Sequence, residues 1–228
     1  AAKIVDWLDA LATVNAAHIP RVASVARAGW HRIGGQPVFV LDEALGTAGA
    51  LPLALDTRGD REAIFAALKP RGSLAAHLAA LRQAWEADPV CAAVVCAAFA
   101  ATLLEPLGAG NFAVHLPGES SRGKTSMLKI AASVFGNPDS PQWVASWNAT
   151  LSGAETRASV LSDLPQCYDE IGGGNADDVP RMVYALMNGS GRVRARRDLS
   201  MRAAHSWHTI VLSTGEREIA DGGTSTGA

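Results

Sequence analysis

From residue 111 onward, short apolar runs alternate with longer stretches whose apolar positions recur every three to four residues. The runs "NFAVHL" (111–116), "QWVASW" (142–147), "QCYDEI" (166–171) and "SWHTIVLST" (206–214) predict strands. Between them, "KTSMLKIAASVFG" (124–136), "SGAETRASVLSDL" (152–164) and "DDVPRMVYALMNG" (177–189) predict helices. The first stops at Gly136-Asn137-Pro138 and the third at Asn188-Gly189, where backbone freedom and a missing amide end a helix. The second opens on Ser152 with Glu155 three residues on, a capping box. The order β-α-β-α-β-α-β predicts an α/β fold, a parallel sheet flanked by helices.

Upstream the pattern is less regular. Residues 4–17 read as a short amphipathic helix, and residues 21–46 as strands broken by Gly34-Gly35 and Gln36-Pro37 turns. Residues 47–72 are mixed. Residues 74–104 are helical, with a break at Asp88-Pro89 where Asp88 caps the second helix. The most apolar stretch, 89–107, is alanine-rich, carries Glu105 and is interrupted by Pro106, so it reads as a buried helix rather than a membrane span. The expected organisation is a small N-terminal accessory α+β region over 1–72 and a larger α/β core over 73–228. The chain starts at Ala1 without a methionine and ends in Gly, Thr and Ser, so a fragment is expected.

Composition narrows the class only a little. With 228 residues, 48% of them hydrophobic, the chain can bury a substantial core. A net charge of −2 excludes a globally basic nucleic-acid binder but leaves room for a local basic patch. Cys91, Cys96 and Cys167 have no CxxC spacing, as in a reduced cytoplasmic protein with buried thiols. No signal peptide is visible, which also fits the cytoplasm. The six histidines show no metal-ligand spacing with cysteines or carboxylates, and His205 and His208 are expected on opposite faces of a strand.

The chemistry begins at "GESSRGKTSM" (118–127), which holds one of only four lysines. Gly118 and Gly123 are separated by four residues and followed by Lys124-Thr125, the full G-x-x-x-x-G-K-[ST] pattern. The loop lies between a predicted strand and a predicted helix, as phosphate binding requires. Glycines let backbone N–H groups turn around phosphate oxygens, and the helix presents its positive N-terminus to the anion. Gly118, Glu119, Ser120, Ser121, Arg122, Gly123, Lys124, Thr125 and Ser126 are therefore the expected nucleotide-binding residues. Lys124 would reach the β- and γ-phosphates of ATP and Thr125 would hold Mg²⁺. A polar turn before a helix is the plain alternative.

Asp169-Glu170 end the predicted strand "QCYDEI". At a strand tip beside the phosphate loop, Asp169 would bind Mg²⁺ through water and Glu170 would polarise the attacking water. That pair favours an ATP hydrolase over a GTPase or a small-molecule kinase; an exposed acidic turn is the alternative. "TIVLST" ends in Ser213-Thr214, where a polar tip residue senses the γ-phosphate or orients the water.

"GSGRVRARRDLSMRAAHSW" (189–207) carries Arg192, Arg194, Arg196, Arg197 and Arg202 with one acid, Asp198. Arg192, Arg194 and Arg196 alternate at period two and would share one strand face. A turn near 197–200 would complete a hairpin. Arginines so arranged suit phosphate contacts along a nucleic-acid backbone, and the lack of interleaved aromatics argues against base stacking. A solvated basic loop or contacts to a neighbouring subunit are the alternatives.

Four segments then resemble one family. "FAVHLPGESSRGKTSMLKIAASVFGNP", "WNATLSGAETRASVLSDLPQCYDEIG", "YALMNGSGRVRARRDLSMR" and "SWHTIVLSTGE" are similar to the domain-of-unknown-function 927 family, helicase-like proteins of bacteria, phages and plasmids, often on mobile elements. The likeness runs from about residues 29–31 to the end and is dense from residue 85. It implies a P-loop NTPase core of the AAA+ and superfamily-3-like hexameric type. It implies Gly118 to Thr125 as Walker A, Asp169 and Glu170 as Walker B, Thr214 as a sensor, and the arginine hairpin facing a central channel. Trp147-Asn148 matches a family motif of underived role. Two departures stand out: Gln166 and Cys167 occupy a strand that is usually more aliphatic, and relatives continue past Glu216 with further arginine segments, leaving Arg217 as a weak candidate for a trans-acting arginine.

The function expected is the ATP- and Mg²⁺-dependent motor core of a DNA helicase or translocase. It would act as a homo-oligomer such as a hexameric ring, in the cytoplasm, with DNA as partner and no membrane. The alternatives are a non-hydrolysing nucleotide-binding assembly module and an AAA+ protein remodeller.

Overall fold

The computed structural model describes residues 2–19, 23–41, 44–45, 53–59, 61–119, 122–170, 178–191, 194–195, 201–202, 205–216 and 218–219. Its centre is a four-stranded parallel sheet built from β6 (Phe112–Pro117), β7 (Val144–Ser146), β8 (Gln166–Asp169) and β11 (Ile210–Gly215). The spatial order is β6-β11-β8-β7, so the last strand inserts between the first and the third. All four run the same way, and their carboxyl ends gather along one edge.

Helices cover both faces, as the β-α alternation predicts. On one side lie α4 (Pro89–Ala100) and α6 (Lys124–Ala132); on the other, α7 (Leu151–Val160) and α8 (Asp178–Met187). Strand alternation divides the core accordingly. Cys167, Ile210 and Leu212 join the cluster with Val94, Val95 and Leu128, whereas Tyr168 and Val211 join that with Met182 and Trp207. Leu128, Ala131 and Ala132 are fully buried and fix α6 beneath the sheet. Its N-terminus is thereby held at the carboxyl ends of the strands.

The apolar stretch 89–107 is long and apolar enough by composition to cross a membrane, with mean hydropathy 2.0. Here it breaks into α4, a 3₁₀ turn and α5 (Leu104–Leu107), and packs between α3 (Leu74–Ala87), α6 and β11. Cys91, Val94, Val95, Ala98, Ala101 and Leu104 are buried while Val90, Phe99, Leu103 and Leu107 are exposed, so the stretch packs one face against the core. Asp88 caps α4 as expected, its Oδ1 accepting from the N–H groups of Val90 and Cys91.

The N-terminal elements are α1 (Ala2–Val14), β1 (Ala23–Val25), β2 (Gly29–Ile33), β3 (Gln36–Val40), β4 (Ala44–Leu45), β5 (Leu53–Leu55) and α2 (Arg61–Ala66). Gly34-Gly35 form the two-residue hairpin turn, but Gln36-Pro37 do not: both lie in β3, where Pro37 stands opposite Arg32. Ala28, Phe39 and Phe65 share the hydrophobic cluster of α4 and the sheet. The contact is close at Gly29, where φ is +92° and an added Cβ would lie 2.3 Å from Asp163 Oδ2 and from the Ser162 carbonyl oxygen.

Two further expectations are corrected. The cap of α7 is Thr150, whose hydroxyl accepts from Gly153 N–H at 3.1 Å, not Ser152. The helix starts two residues earlier than the Ser-Glu spacing suggests, so Glu155 lies beyond the capping position and is buried. The helix after the phosphate loop ends at Ala132, four residues before Gly136, through a run of turns. β9 (Arg194–Ala195) and β10 (Met201–Arg202) pair antiparallel between α8 and β11.

Candidate nucleotide-binding site

The strand order dictates what meets at the carboxyl edge of the sheet. In register, Ser213 stands beside His115 on one side and Tyr168 on the other. The next residue along each strand therefore brings Thr214 level with Leu116 and beside Asp169. The Thr214 hydroxyl bonds Asp169 Oδ1 and accepts the Glu170 N–H at 3.2 Å. The Thr125 hydroxyl, from the first turn of α6, donates to the same Asp169 oxygen at 3.0 Å. Residues 44 or more positions apart thus converge on one carboxylate oxygen.

The loop preceding α6 supplies the rest. Gly123 precedes the helix at φ +80°, a left-handed conformation that a side chain resists, and α6 has no side-chain N-cap. Its first-turn N–H groups lack that partner and line an open cleft. Lys124 Nζ donates to the carbonyl oxygens of Gly118 (2.6 Å) and Glu119 (2.5 Å). Gly118 N–H donates to Gly215 O at 3.1 Å, tying the loop to the end of β11. A cleft of about 480 Å³ results, lined by Arg122 to Ser126 on one wall and by Asp169, Glu170 and Thr214 to Glu216 on the other. Glu170 is exposed in it and adopts φ +56°, an unusual backbone for a residue with a side chain.

The structure therefore brings together Gly118, Glu119, Arg122, Gly123, Lys124, Thr125, Ser126, Asp169, Glu170 and Thr214. Ser120 and Ser121 lie outside the described residues, as do Arg192, Arg196, Arg197, Arg217 and the turn expected near 197–200. Arg194 and Arg202 are described in backbone only, and they stand opposite each other in the β9–β10 pair. Arg122 pairs with Glu119 at 3.2 Å on the loop surface.

Several supports of the cleft lie in segments that sequence left without a role. Trp147, of the Trp147-Asn148 motif, donates its indole N–H to Ser213 Oγ at 3.0 Å and stacks on Tyr168 with ring centroids 4.4 Å apart. His115 Nδ1 lies 3.1 Å from the same hydroxyl. The polar Gln166 is fully buried in β8 but not isolated. Arg157 Nε donates to its Oε1 at 3.0 Å, and the Arg157 fork reaches the carbonyls of Gln142 and Trp143. Burial lowers the Arg157 pKa and pushes the Cys167 thiol up to about 12. Such roles are invisible in spacing, because each depends on strand order.

The sequence matches the family described as domain of unknown function (DUF927) over residues 2–206, and the chain belongs to that family. The match begins well ahead of Gly29 and ends before β11. No curated protein matches. Among solved structures the chain is similar to one titled "SCCmec type IV Cch - active helicase", with a TM-score of 0.74 and 21% identity. The likeness covers 96% of this chain and 41% of that one, so the chain spans less than half its length. At that identity it establishes a shared fold.

Proposed function

We propose, on the premise of that family membership, that this chain binds and hydrolyses ATP as the motor core of a DNA helicase or translocase. The observation that carries the reading is the shared Asp169 oxygen. Two hydroxyl groups, Thr125 and Thr214, meet it at the mouth of a glycine loop whose helix has no side-chain cap. Thr125 Oγ1 and Asp169 Oδ1 are 3.0 Å apart, close to the ~2.9 Å between adjacent ligands of octahedral Mg²⁺. The residues fit that ion, which when bound supplies charge neutralisation at the β- and γ-phosphates.

The chain's own groups do the rest. The first-turn amides of α6 and the Lys124 ammonium hold the phosphates and offset charge gathering on the γ-phosphoryl oxygens. Thr214 holds Asp169 in place from the neighbouring strand. Glu170 orients the attacking water and accepts its proton. The residues of the arginine stretch, Arg192, Arg194, Arg196 and Arg197, contact the phosphate backbone of DNA, and a homo-oligomeric ring brings them to a common channel. The helicase title of the similar structure accords with this reading.

The test is ATP turnover with and without single-stranded DNA, beside a Glu170→Gln variant. Turnover stimulated by DNA in the parent, with ATP bound but not hydrolysed by Glu170→Gln, supports the motor. Retained turnover in that variant removes Glu170 as the base. Binding without turnover in the parent favours the assembly module, and turnover indifferent to DNA favours a protein remodeller.

A further inference from the structure

At the opposite edge of the sheet, four chain segments separated in sequence meet around one buried carboxylate. Asp163 lies just before β8, His208 just before β11 and Glu105 in α5; residues 27–30 lead into β2. Asp163 is fully buried, with its two oxygens in different situations. Oδ2 accepts from the Trp30 N–H at 2.9 Å and from Arg27 Nη1 at 3.4 Å. Oδ1, equally inaccessible, makes no hydrogen bond. It faces His208 Nδ1 at 3.2 Å, and Glu105 Oε2 lies 3.8 Å from that same nitrogen. The three donor atoms all fall within 4.8 Å of one another.

We propose that Glu105, Asp163 and His208 form a binding site for a divalent transition-metal ion such as Zn²⁺, which fastens the residue 27–30 segment to the core. Asp163 Oδ1 makes no hydrogen bond and has the His208 imidazole at ion-pair distance, and a cation held between the two would supply the charge that this buried oxygen lacks. Tetrahedral zinc with nitrogen and oxygen ligands at 2.0–2.2 Å separates its donor atoms by about 3.3–3.6 Å. The two distances from His208 Nδ1, 3.2 and 3.8 Å, bracket that range, and the two carboxylate oxygens lie within 4.8 Å of each other. One imidazole with two carboxylates is an ordinary zinc ligand set, and half-exposed His208 and Glu105 leave a fourth position open to water.

The surroundings are those of a supported ligand. The second oxygen of Asp163 is held by the Trp30 amide and Arg27, as ligating carboxylates commonly are. Backbone bonds set the two strand-leading residues against each other: Asp163 N–H donates to His208 O at 2.7 Å, and His208 N–H to Ser162 Oγ at 3.2 Å. Trp30 also donates its indole N–H to Thr102 O at 2.7 Å, close in sequence to Glu105. The cluster is distinct from the nucleotide cleft, since the six residues of β11 alone span about 20 Å. Its residues lie 45 and 58 positions apart in the chain, which is why spacing gave no sign of it.

Isothermal titration of the EDTA-treated, dialysed chain with ZnCl₂ tests this, in buffer containing excess Mg²⁺ to occupy the nucleotide cleft. Expected is one zinc per chain, a rise in Tm with zinc, and visible d–d absorption from tetrahedral Co²⁺ used in its place. Glu105→Gln and His208→Gln, both at partly exposed positions, are each expected to weaken zinc by about tenfold or more and to abolish the Tm rise. Two results overturn the proposal. One is no saturable binding, which leaves a plain His208–Asp163 contact. The other is zinc binding of unchanged affinity in both variants, which leaves an adventitious ion only.

Discussion

The indole of Trp147 reaches across β8 to donate to Ser213 Oγ at 3.0 Å, one residue before Thr214. The bond ties the loop after β7 to the strand whose tip touches Asp169. Trp147→Phe keeps an aromatic ring against Tyr168 but removes the donor and leaves a cavity where the rest of the buried indole stood. It is expected to lower stability by about 2–4 kcal/mol in urea titration. Ser213→Ala removes the acceptor and leaves the buried indole N–H without its partner, so it is expected to cost about 1–3 kcal/mol with little cavity.

Thr214 links the carboxylate of Asp169 to the backbone of Glu170. Thr214→Val preserves shape and removes both contacts. If Thr214 positions the pair for hydrolysis, kcat falls by about tenfold or more while nucleotide affinity, measured by fluorescent-nucleotide displacement, changes little. An equal loss in both would mean that Thr214 supports the bound ground state instead.

Why some of this was legible in sequence, and some not, follows from the range of each interaction. The glycine loop, its helix and the Asp169-Glu170 tip are local patterns, each set by a few adjacent residues. The alternation of apolar runs is local too, and it predicted the parallel sheet. The capping of α7 was misread because Thr150 and Ser152 are both good caps, and only the entry path of the chain selects between them. Gln36-Pro37 reads as a turn, but the two glycines just before it already make one. The contacts of Trp147 with Ser213, and of Asp163 with His208 and Glu105, depend on β11 inserting between β6 and β8. No window of sequence contains that fact.

Gly29 packs closely against the segment that leads into β8. A methyl group there would lie 2.3 Å from two oxygen atoms, one of them backbone, at a φ of +92°. Gly29→Ala is therefore expected to destabilise by about 2–4 kcal/mol, combining a steric clash with backbone strain. Gly34→Ala serves as the control. Its φ of +58° carries the backbone penalty, but no atom lies within 4 Å of the added methyl. A Tm loss no greater at Gly29 than at Gly34 would show that the close approach is absent in solution.

Burial holds the Cys167 thiol neutral up to about pH 12 and raises the Tyr168 hydroxyl in the same direction. The native state keeps those protons at pH values where the unfolded chain has begun to lose them. Stability linked to these groups is thus complete below about pH 9 and declines as pH rises toward about 12. Urea midpoints measured between pH 8 and pH 10.5 are expected to fall. In native protein at pH 8, iodoacetamide is expected to modify exposed Cys96 and to spare Cys91 and Cys167 until denaturant is added.

The β9–β10 pair stands Arg194 opposite Arg202 between α8 and β11 in the chain, and Arg196 lies two residues after Arg194 in sequence. If Arg194 and Arg196 each neutralise a DNA phosphate, each releases counterions on binding, and affinity depends steeply on salt. The slope of log K against log salt is about −0.7 per phosphate contact on single strands. Replacing both arginines with alanine should make that slope shallower by about 1.4, with weakening spread evenly across DNA sequences. Fluorescence anisotropy with a labelled oligonucleotide over a salt series measures it. An unchanged slope in the double variant would place these arginines away from the backbone and remove the hairpin from the nucleic-acid path. A steeper loss on some sequences than on others would instead mean that the hairpin reads base edges.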